Sequence, residues 1–229
     1  MIFHICFIIW LIEVINAVVV NNENEIINLF TEYNDEITLD INSEINITKD
    51  INISNSIKKL SITGDSLVSS KLNFIYPLFF DSNIEEIKIK NINIYGILFF
   101  KNNKKITLNN VNLNGYIDSD FDKSSNEFIE IENFIYKPTE KSVNNCINLS
   151  GNVKIVNSYF NGDSSCQNRL LHYNGLGNYN FDFKESNFNG EYKCPFLSIE
   201  NASTANIESS HFEKGYSSKN INGGYIKKY

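Results

Sequence analysis

The densest group of side chains that could do chemistry is acidic. Residues 118–122 read Asp-Ser-Asp-Phe-Asp, which places three carboxylates at alternate positions, and such oxygen ligands can chelate Ca²⁺. The segment is not an EF-hand, because Lys123 stands where that loop requires glycine and Ile129 where it requires a bidentate glutamate. We expect a solvated loop and keep Ca²⁺ binding as the alternative. The candidate ligands are Asp118, Asp120 and Asp122.

Other side chains suited to acid–base chemistry do not form a catalytic set in the sequence. His172 stands in Leu-Leu-His-Tyr and His211 in Ser-Ser-His-Phe, while Arg169, the only arginine, has no matching acidic cluster. General acid–base catalysis requires groups that are positioned together. We therefore assign no catalytic residue, and no cofactor apart from the Ca²⁺ alternative.

The N-terminal residues 1–17, MIFHICFIIWLIEVINA, are typical of a secretory signal peptide. The apolar run from Ile2 to Ile12 is too short for a membrane span, so we expect no transmembrane segment; an uncleaved anchor is the alternative. Secretion would place the chain outside the cell or at its surface, where exposed Asn-x-Ser/Thr sequons accept glycans. The four predicted acceptors are Asn46, Asn52, Asn148 and Asn201.

Composition and charge exclude several classes of protein. The net charge of −7 argues against nucleic acid as a partner, because phosphate binding requires a basic surface. Ile, Phe and Tyr are abundant and favour strands, whereas Ala, a strong helix former, is scarce. The chain is therefore neither α-helical nor disordered.

Short runs of alternating apolar residues recur from Ile37 onward and predict strands. Six units align on an apolar anchor that follows an apolar residue seven positions earlier, with spacings of 19, 22, 25, 28 and 24 residues. Five units also carry an apolar residue five positions before the anchor; in the Ile135 unit that position is Glu130, and the pattern is slipped by one onto Ile129 and Ile131. Four units carry Gly two positions after the anchor, where we expect a positive φ. Asn recurs at the corners before the anchors and could form amide ladders between stacked units. The anchors are Ile94, Leu113, Ile135, Phe160, Phe188 and Phe212.

A unit of this length cannot bury its own apolar face, so the units must stack. We predict an all-β fold, a single-stranded parallel β-helix of roughly seven to eight coils of about 19–28 residues. A sandwich of hairpins is the alternative. Residues 1–17 would be the signal peptide, 18–36 a cap formed by a strand or short helix, and 37–229 the β-helix.

Residues 181–190, Phe-Asp-Phe-Lys-Glu-Ser-Asn-Phe-Asn-Gly, and 207–212, Ile-Glu-Ser-Ser-His-Phe, resemble coils of secreted right-handed parallel β-helix proteins of the pectin-lyase-like superfamily. Residues 222–226, Asn-Gly-Gly-Tyr-Ile, resemble repeats of the polymorphic-membrane-protein type and of fungal scaffoldin-like proteins. The resemblance implies the fold rather than a function. The fold together with the lack of a catalytic set favours a non-catalytic module with a structural, adhesive or scaffold role, and we expect polysaccharide or another surface protein as its partner. A pectin or pectate lyase, a polygalacturonase-like enzyme, a degenerate fragment of one, and a carbohydrate-binding module are the alternatives.

Three cysteines follow the signal peptide. Cys166 and Cys194 each lie six residues after an anchor, which would place them at the same phase of neighbouring coils. A rung spacing of about 4.8 Å lies within the Cα–Cα range of a disulfide, so we predict a bond between Cys166 and Cys194. Cys146 would then be free or form an intermolecular bond.

The C-terminal residues 223–229 begin a coil that the chain does not finish. An open terminal coil exposes a strand edge and apolar core. Either further coils follow in a longer protein or a partner covers the last rung, and we favour further coils. Two tyrosines that follow their anchors, Tyr95 and Tyr136, are expected at the surface.

Overall fold

The computed structural model describes residues 17–32, 34–123, 127–139 and 143–216, together with the backbone of residues 226–228. The chain is a parallel β-solenoid of about eight turns, with 58% strand and 5% helix. The predicted all-β solenoid is therefore confirmed. The hairpin sandwich is wrong, since every strand pair in the described residues is parallel.

The elements follow one another along the chain with short turns between them. They are β1 (Val18–Val20), α1 (Glu23–Thr31), β2 (Glu36–Ile41), β3 (Glu44–Ile47), β4 (Lys59–Gly64), β5 (Lys71–Phe74), β6 (Leu78–Phe80), β7 (Glu86–Lys101), β8 (Lys105–Asp120), β9 (Phe128–Glu132), β10 (Ile135–Lys137), β11 (Val143–Ser150), β12 (Asn152–Val156), β13 (Tyr159–Asn161), β14 (Cys166–Asn174), β15 (Asn180–Lys184), β16 (Asn187–Asn189), β17 (Leu197–Glu200), β18 (Thr204–Glu208), β19 (His211–Glu213) and β20 (Ile226–Lys228).

The strands stack into three parallel sheets around one core. The first sheet joins β1, β2, β4, β7, β8, β9, β12, β15 and β18. The second joins β3, β5, β7, β8, β10, β13, β16 and β19. The third joins β6, β7, β8, β11, β14, β17 and β20. β7 and β8 are 16 residues long and pass through all three sheets.

Alternate residues of each strand point into the core, as the period of a strand requires. The predicted anchors stack in the second sheet, where Ile94 pairs with Leu113 and Phe160 with Phe188. The assignment of Ile135 as an anchor is wrong. It is exposed, whereas Tyr136 is buried and pairs with Leu113 and Phe160. The buried anchor position of this strand is therefore one residue further along the chain than the repeat spacing predicted. For the same reason, the expectation that Tyr136 lies at the surface is wrong.

The corner between the first and second sheets has a left-handed backbone in six successive turns, with φ between 48° and 53°. Asn tolerates this conformation better than most residues because its short side chain bonds locally. The predicted amide ladder forms there: Asn110 donates to Asn91 at 2.9 Å, and Asn157 donates to Asn133 at 2.6 Å. The six corner residues are Asn91, Asn110, Asn133, Asn157, Glu185 and Ser209.

The glycines after the anchors serve chiefly to permit close approach. Of the four, only Gly96 has a positive φ, at 140°, so the conformational prediction is wrong for Gly115, Gly162 and Gly190. A Cβ on Gly115 would overlap the carbonyl group of Gly96, with which it pairs in register. A Cβ on Gly190 would likewise press on the backbone carbonyls of Cys194 and Lys214, whereas one on Gly162 would make only tight contacts with side chains.

The N-terminal end carries α1, the only α-helix within the described residues. The side chain of Asn22 accepts a hydrogen bond of 3.1 Å from the Glu25 amide and so caps the helix. Ile26 and Phe30 are buried against the core, and β1 pairs with β2. The assignment of residues 18–36 as a cap stays a prediction. No helix within the described residues has the length and apolar character of a membrane span.

Candidate functional site

The outward face of the third sheet carries a continuous line of side chains, here called the third-sheet strip. Its members are stacked by backbone pairing, one per turn, while their neighbours in each strand point into the core. At a turn spacing of about 4.8 Å the strip is roughly 24 Å long. From the N-terminal end it consists of Phe79, Phe99, Asp118, Asn148, His172 and Ser198, of which Ser198 is buried.

The N-terminal end of the strip is aromatic. The rings of Phe79 and Phe99 lie 5.2 Å apart at an interplanar angle of 52°, and 46% of Phe79 is exposed. These two tilted rings, of which Phe79 is exposed and Phe99 half-buried, form a small apolar platform beside polar groups. An arrangement of this kind is typical of binding surfaces for ligands that have both apolar faces and hydroxyl groups.

Asp118 begins the polar part of the strip. Partial burial raises the pKa of its carboxyl group; a hydrogen bond from Asn148 lowers that pKa, and the neighbouring charge of Asp120 raises it. The side chain of Asn145 donates at 3.0 Å to the Oδ1 atom of Asn148. Asn145 therefore orients the amide of Asn148, the in-register neighbour of Asp118.

The expectation of an acidic loop is wrong for Asp118 and Asp120, which belong to β8. Asp122 lies beyond the strand, where its carboxylate accepts at 2.8 Å from the Asn102 amide. The three carboxylates are therefore split between β8 and the turn that follows it. Within the part of the chain that the structure describes, no three His, Cys, Asp or Glu side chains are grouped so that they could hold a metal ion.

His172 and Ser198 form the other end of the strip, and both lie next to Glu200. His172 Nδ1 lies 4.0 Å from Glu200 Oε1, and the Ser198 hydroxyl donates to the same oxygen at 3.2 Å. Burial lowers the pKa of His172, the Glu200 charge raises it and the Arg169 charge lowers it. The imidazole is therefore neutral at pH 7 and can accept a proton or a hydrogen bond.

Arg169 lies on β14, three residues before His172, and is half-buried. Burial lowers the pKa of its guanidinium group, while the charge of Glu200 raises it. Arginine remains protonated in proteins, so a fixed positive charge adjoins the strip. No pattern in the sequence pointed to the grouping of Asp118, Asn148, His172 and Ser198, because successive members lie 24 to 30 residues apart on turns of unequal length.

The disulfide prediction is wrong. Cys146 is bonded to Cys166 with a Cα–Cα distance of 5.3 Å, and Cys194 is a buried free thiol. The chain folds back after Gly190, where the Cys194 amide donates to the Gly190 carbonyl at 3.1 Å. This turn places Cys194 against Gly162, four residues before Cys166. Cys166 and Cys194 are each six residues after an anchor in the sequence, but they do not occupy equivalent positions on their turns.

The four sequons differ in their surroundings. Asn46, Asn52 and Asn201 are exposed, as a glycan acceptor requires. Asn148 is half-buried on β11 and engaged with Asp118 and Asn145. Glycosylation stays a prediction at all four positions. Apart from Ala17, the predicted signal peptide lies outside the described residues, as do most of the residues of the C-terminal repeat.

Comparison of the chain with protein-family models, with curated proteins and with solved structures finds no match.

Proposed function

We propose that the chain is an extracellular, non-catalytic β-solenoid module with an adhesive or scaffold role, and that the third-sheet strip binds an extended polysaccharide. The single observation that carries this proposal is the in-register line from the Phe79–Phe99 platform through Asp118 and Asn148 to His172. Such a line offers stacking surfaces and hydrogen-bonding groups at regular intervals, which suits a polymer of repeating units.

The character of the other charged surfaces supports the choice of this strip. On the first sheet, charges pair from turn to turn at the solvent: Lys154 lies 2.8 Å from Glu130, and Lys184 lies 3.1 Å from Glu208. Exposed pairs of this kind contribute little energy and leave little unmatched charge. The two titratable groups of the strip, Asp118 and His172, are instead partly buried, which shifts their pKa values, and perturbed groups of this kind cluster at functional sites.

The resemblance to secreted pectin-lyase-like β-helix proteins supports an extracellular setting and a polysaccharide partner, although one fold carries many functions. The decisive test is affinity electrophoresis through gels that contain a soluble β-glucan or homogalacturonan. We expect wild-type protein to be retarded by at least one polymer and the Phe79→Ser/Phe99→Ser double variant to run freely. Tyr192→Ser, which alters a side chain 70% exposed in the Gly190–Cys194 turn, is the control. Equal migration of all three proteins in every gel would contradict the proposal.

A polysaccharide-cleaving enzyme is the second candidate, because the carboxyl group of Asp118 and the imidazole of His172 have pKa values shifted toward each other. They lie two turns apart, about 10 Å along the sheet. A carboxyl group whose pKa is raised toward the working pH can serve as a general acid, and a neutral imidazole can serve as a general base. Release of reducing or unsaturated ends from either polymer, lost in Asp118→Asn and in His172→Gln, would favour the enzyme and contradict the non-catalytic role.

A further inference from the structure

Apart from the third-sheet strip, the surface has a depression on the second sheet, where the chain turns toward the third sheet. It has a volume of about 670 Å³, which lies in the range of small-molecule sites. We call it the Tyr95 groove. Its lining residues are Asn46, Thr48, Asn73, Phe74, Ile75 and Tyr95.

The polar wall of the groove is a fixed ladder. Asn46, Asn73 and Tyr95 occupy the same register position on three successive turns. The Asn73 amide donates at 2.8 Å to Asn46 and at 3.0 Å to Glu44, so its orientation is set. The Thr48 hydroxyl is held at 3.1 Å from the Glu23 carboxylate on α1. The wall is therefore organised before a ligand arrives, which limits the entropy that binding costs.

The apolar wall is open to solvent. Tyr95 is 51% exposed and Ile75 is 69% exposed, and they face the same depression. Large apolar side chains left together at a surface mark an interaction site more often than single ones do. The lining residues include an aromatic ring and an aliphatic chain beside two amides and a hydroxyl, and none of them is charged.

We propose that the Tyr95 groove binds a neutral saccharide. The C–H groups of a sugar ring carry partial positive charge and pack against the negative face of an aromatic ring, while hydroxyl groups bond to amides. A lining without charge gives no compensation for desolvating a carboxylate or sulfate, which disfavours acidic sugars. The groove lies on a different sheet from the third-sheet strip and does not depend on it.

The test is a glycan array probed with the full chain, produced in the bacterial periplasm. That host leaves the predicted acceptor Asn46 unmodified, so a glycan on the chain itself cannot cover the groove. We expect binding to neutral glycans in preference to acidic ones. Titration of the best neutral oligosaccharide should show affinity at least about fivefold lower for Tyr95→Ala, since one stacking contact is lost.

Tyr95→Phe keeps the ring and should retain most of the affinity, while Tyr192→Ala, an exposed tyrosine outside the groove, is the matched control. Ile75→Ser, at an exposed turn position, serves as the second groove variant if Tyr95→Ala unfolds on thermal melting. Binding of acidic glycans only, no binding at all, or unchanged affinity in the groove variants would overturn the proposal. The Phe79→Ser/Phe99→Ser variant alters only the third-sheet strip, so the proposal for the strip and the proposal for the groove are tested independently.

Discussion

The side-chain amide of Asn110 donates a hydrogen bond of 2.9 Å to the side chain of Asn91, which occupies the same corner one turn earlier. Both residues have a left-handed backbone, with φ of 53°. The ladder therefore combines two stabilising effects: Asn accepts this conformation more readily than other non-glycine residues, and its amide links neighbouring turns.

Substitution of Asn110 separates these two effects. Asn110→Ala should destabilise the fold by about 1–2 kcal/mol, because it loses the hydrogen bond and strains the backbone. Asn110→Gly keeps the backbone relaxed and should cost less. Urea unfolding of the three proteins measures the difference. If Asn110→Gly is less stable than Asn110→Ala, the left-handed backbone at this corner does not contribute the strain described.

Gly115 is predicted to tolerate no side chain. A Cβ there would overlap the carbonyl group of Gly96, in the backbone of the adjacent turn, so Gly115→Ala should cost at least about 3 kcal/mol or prevent folding. Gly177→Ala is the control: φ is 91°, but nothing lies within 4 Å of the added Cβ, so only backbone strain of about 1–2 kcal/mol is expected. Equal losses in thermal unfolding would show that close packing of turns is not the reason for Gly115.

The repeat predicted the solenoid because alternate residues of each strand are buried, and this alternation is visible within a few residues of sequence. It does not depend on the length of the turns between strands. Register across a turn is not local. The anchor moved from Ile135 to Tyr136 because that coil has one more residue before the second sheet than the alignment allowed. The third-sheet strip could not be predicted at all, since Asp118, Asn148 and His172 meet only through turns of unequal length.

The disulfide can be located by peptide mapping without reduction. Proteolysis should yield a peptide linked through Cys146 and Cys166, while Cys194 should react with an alkylating reagent only after unfolding. Burial raises the pKa of the Cys194 thiol to about 12, so its reactive thiolate is scarce at neutral pH. A linked Cys166–Cys194 peptide would contradict the pairing.

Removal of the disulfide should cost more than removal of the free thiol. Cys146→Ser opens a loop with a sequence separation of 20 residues, for which about 3 kcal/mol is expected. Cys194→Ala removes one buried sulfur and should cost about 1 kcal/mol. Both are measured by urea unfolding, and a larger loss in Cys194→Ala would mean that Cys194 has a structural role beyond filling space.

Asp118 should destabilise the fold at neutral pH, in contrast to Glu208. Burial raises the pKa of Asp118 in the folded state, so ionisation is penalised above that pKa, and the penalty is relieved as pH falls through it toward the unfolded value near 4. Hydrogen bonds from Asn206 and Lys184 lower the pKa of Glu208, so its contribution is stabilising above the unfolded pKa and is lost in acid. Thermal melting at pH 7 should therefore show a higher midpoint for Asp118→Asn and a lower one for Glu208→Gln, and both differences should shrink toward pH 4. A lower midpoint for Asp118→Asn at pH 7 would mean that the bond to Asn148 outweighs the cost of burial.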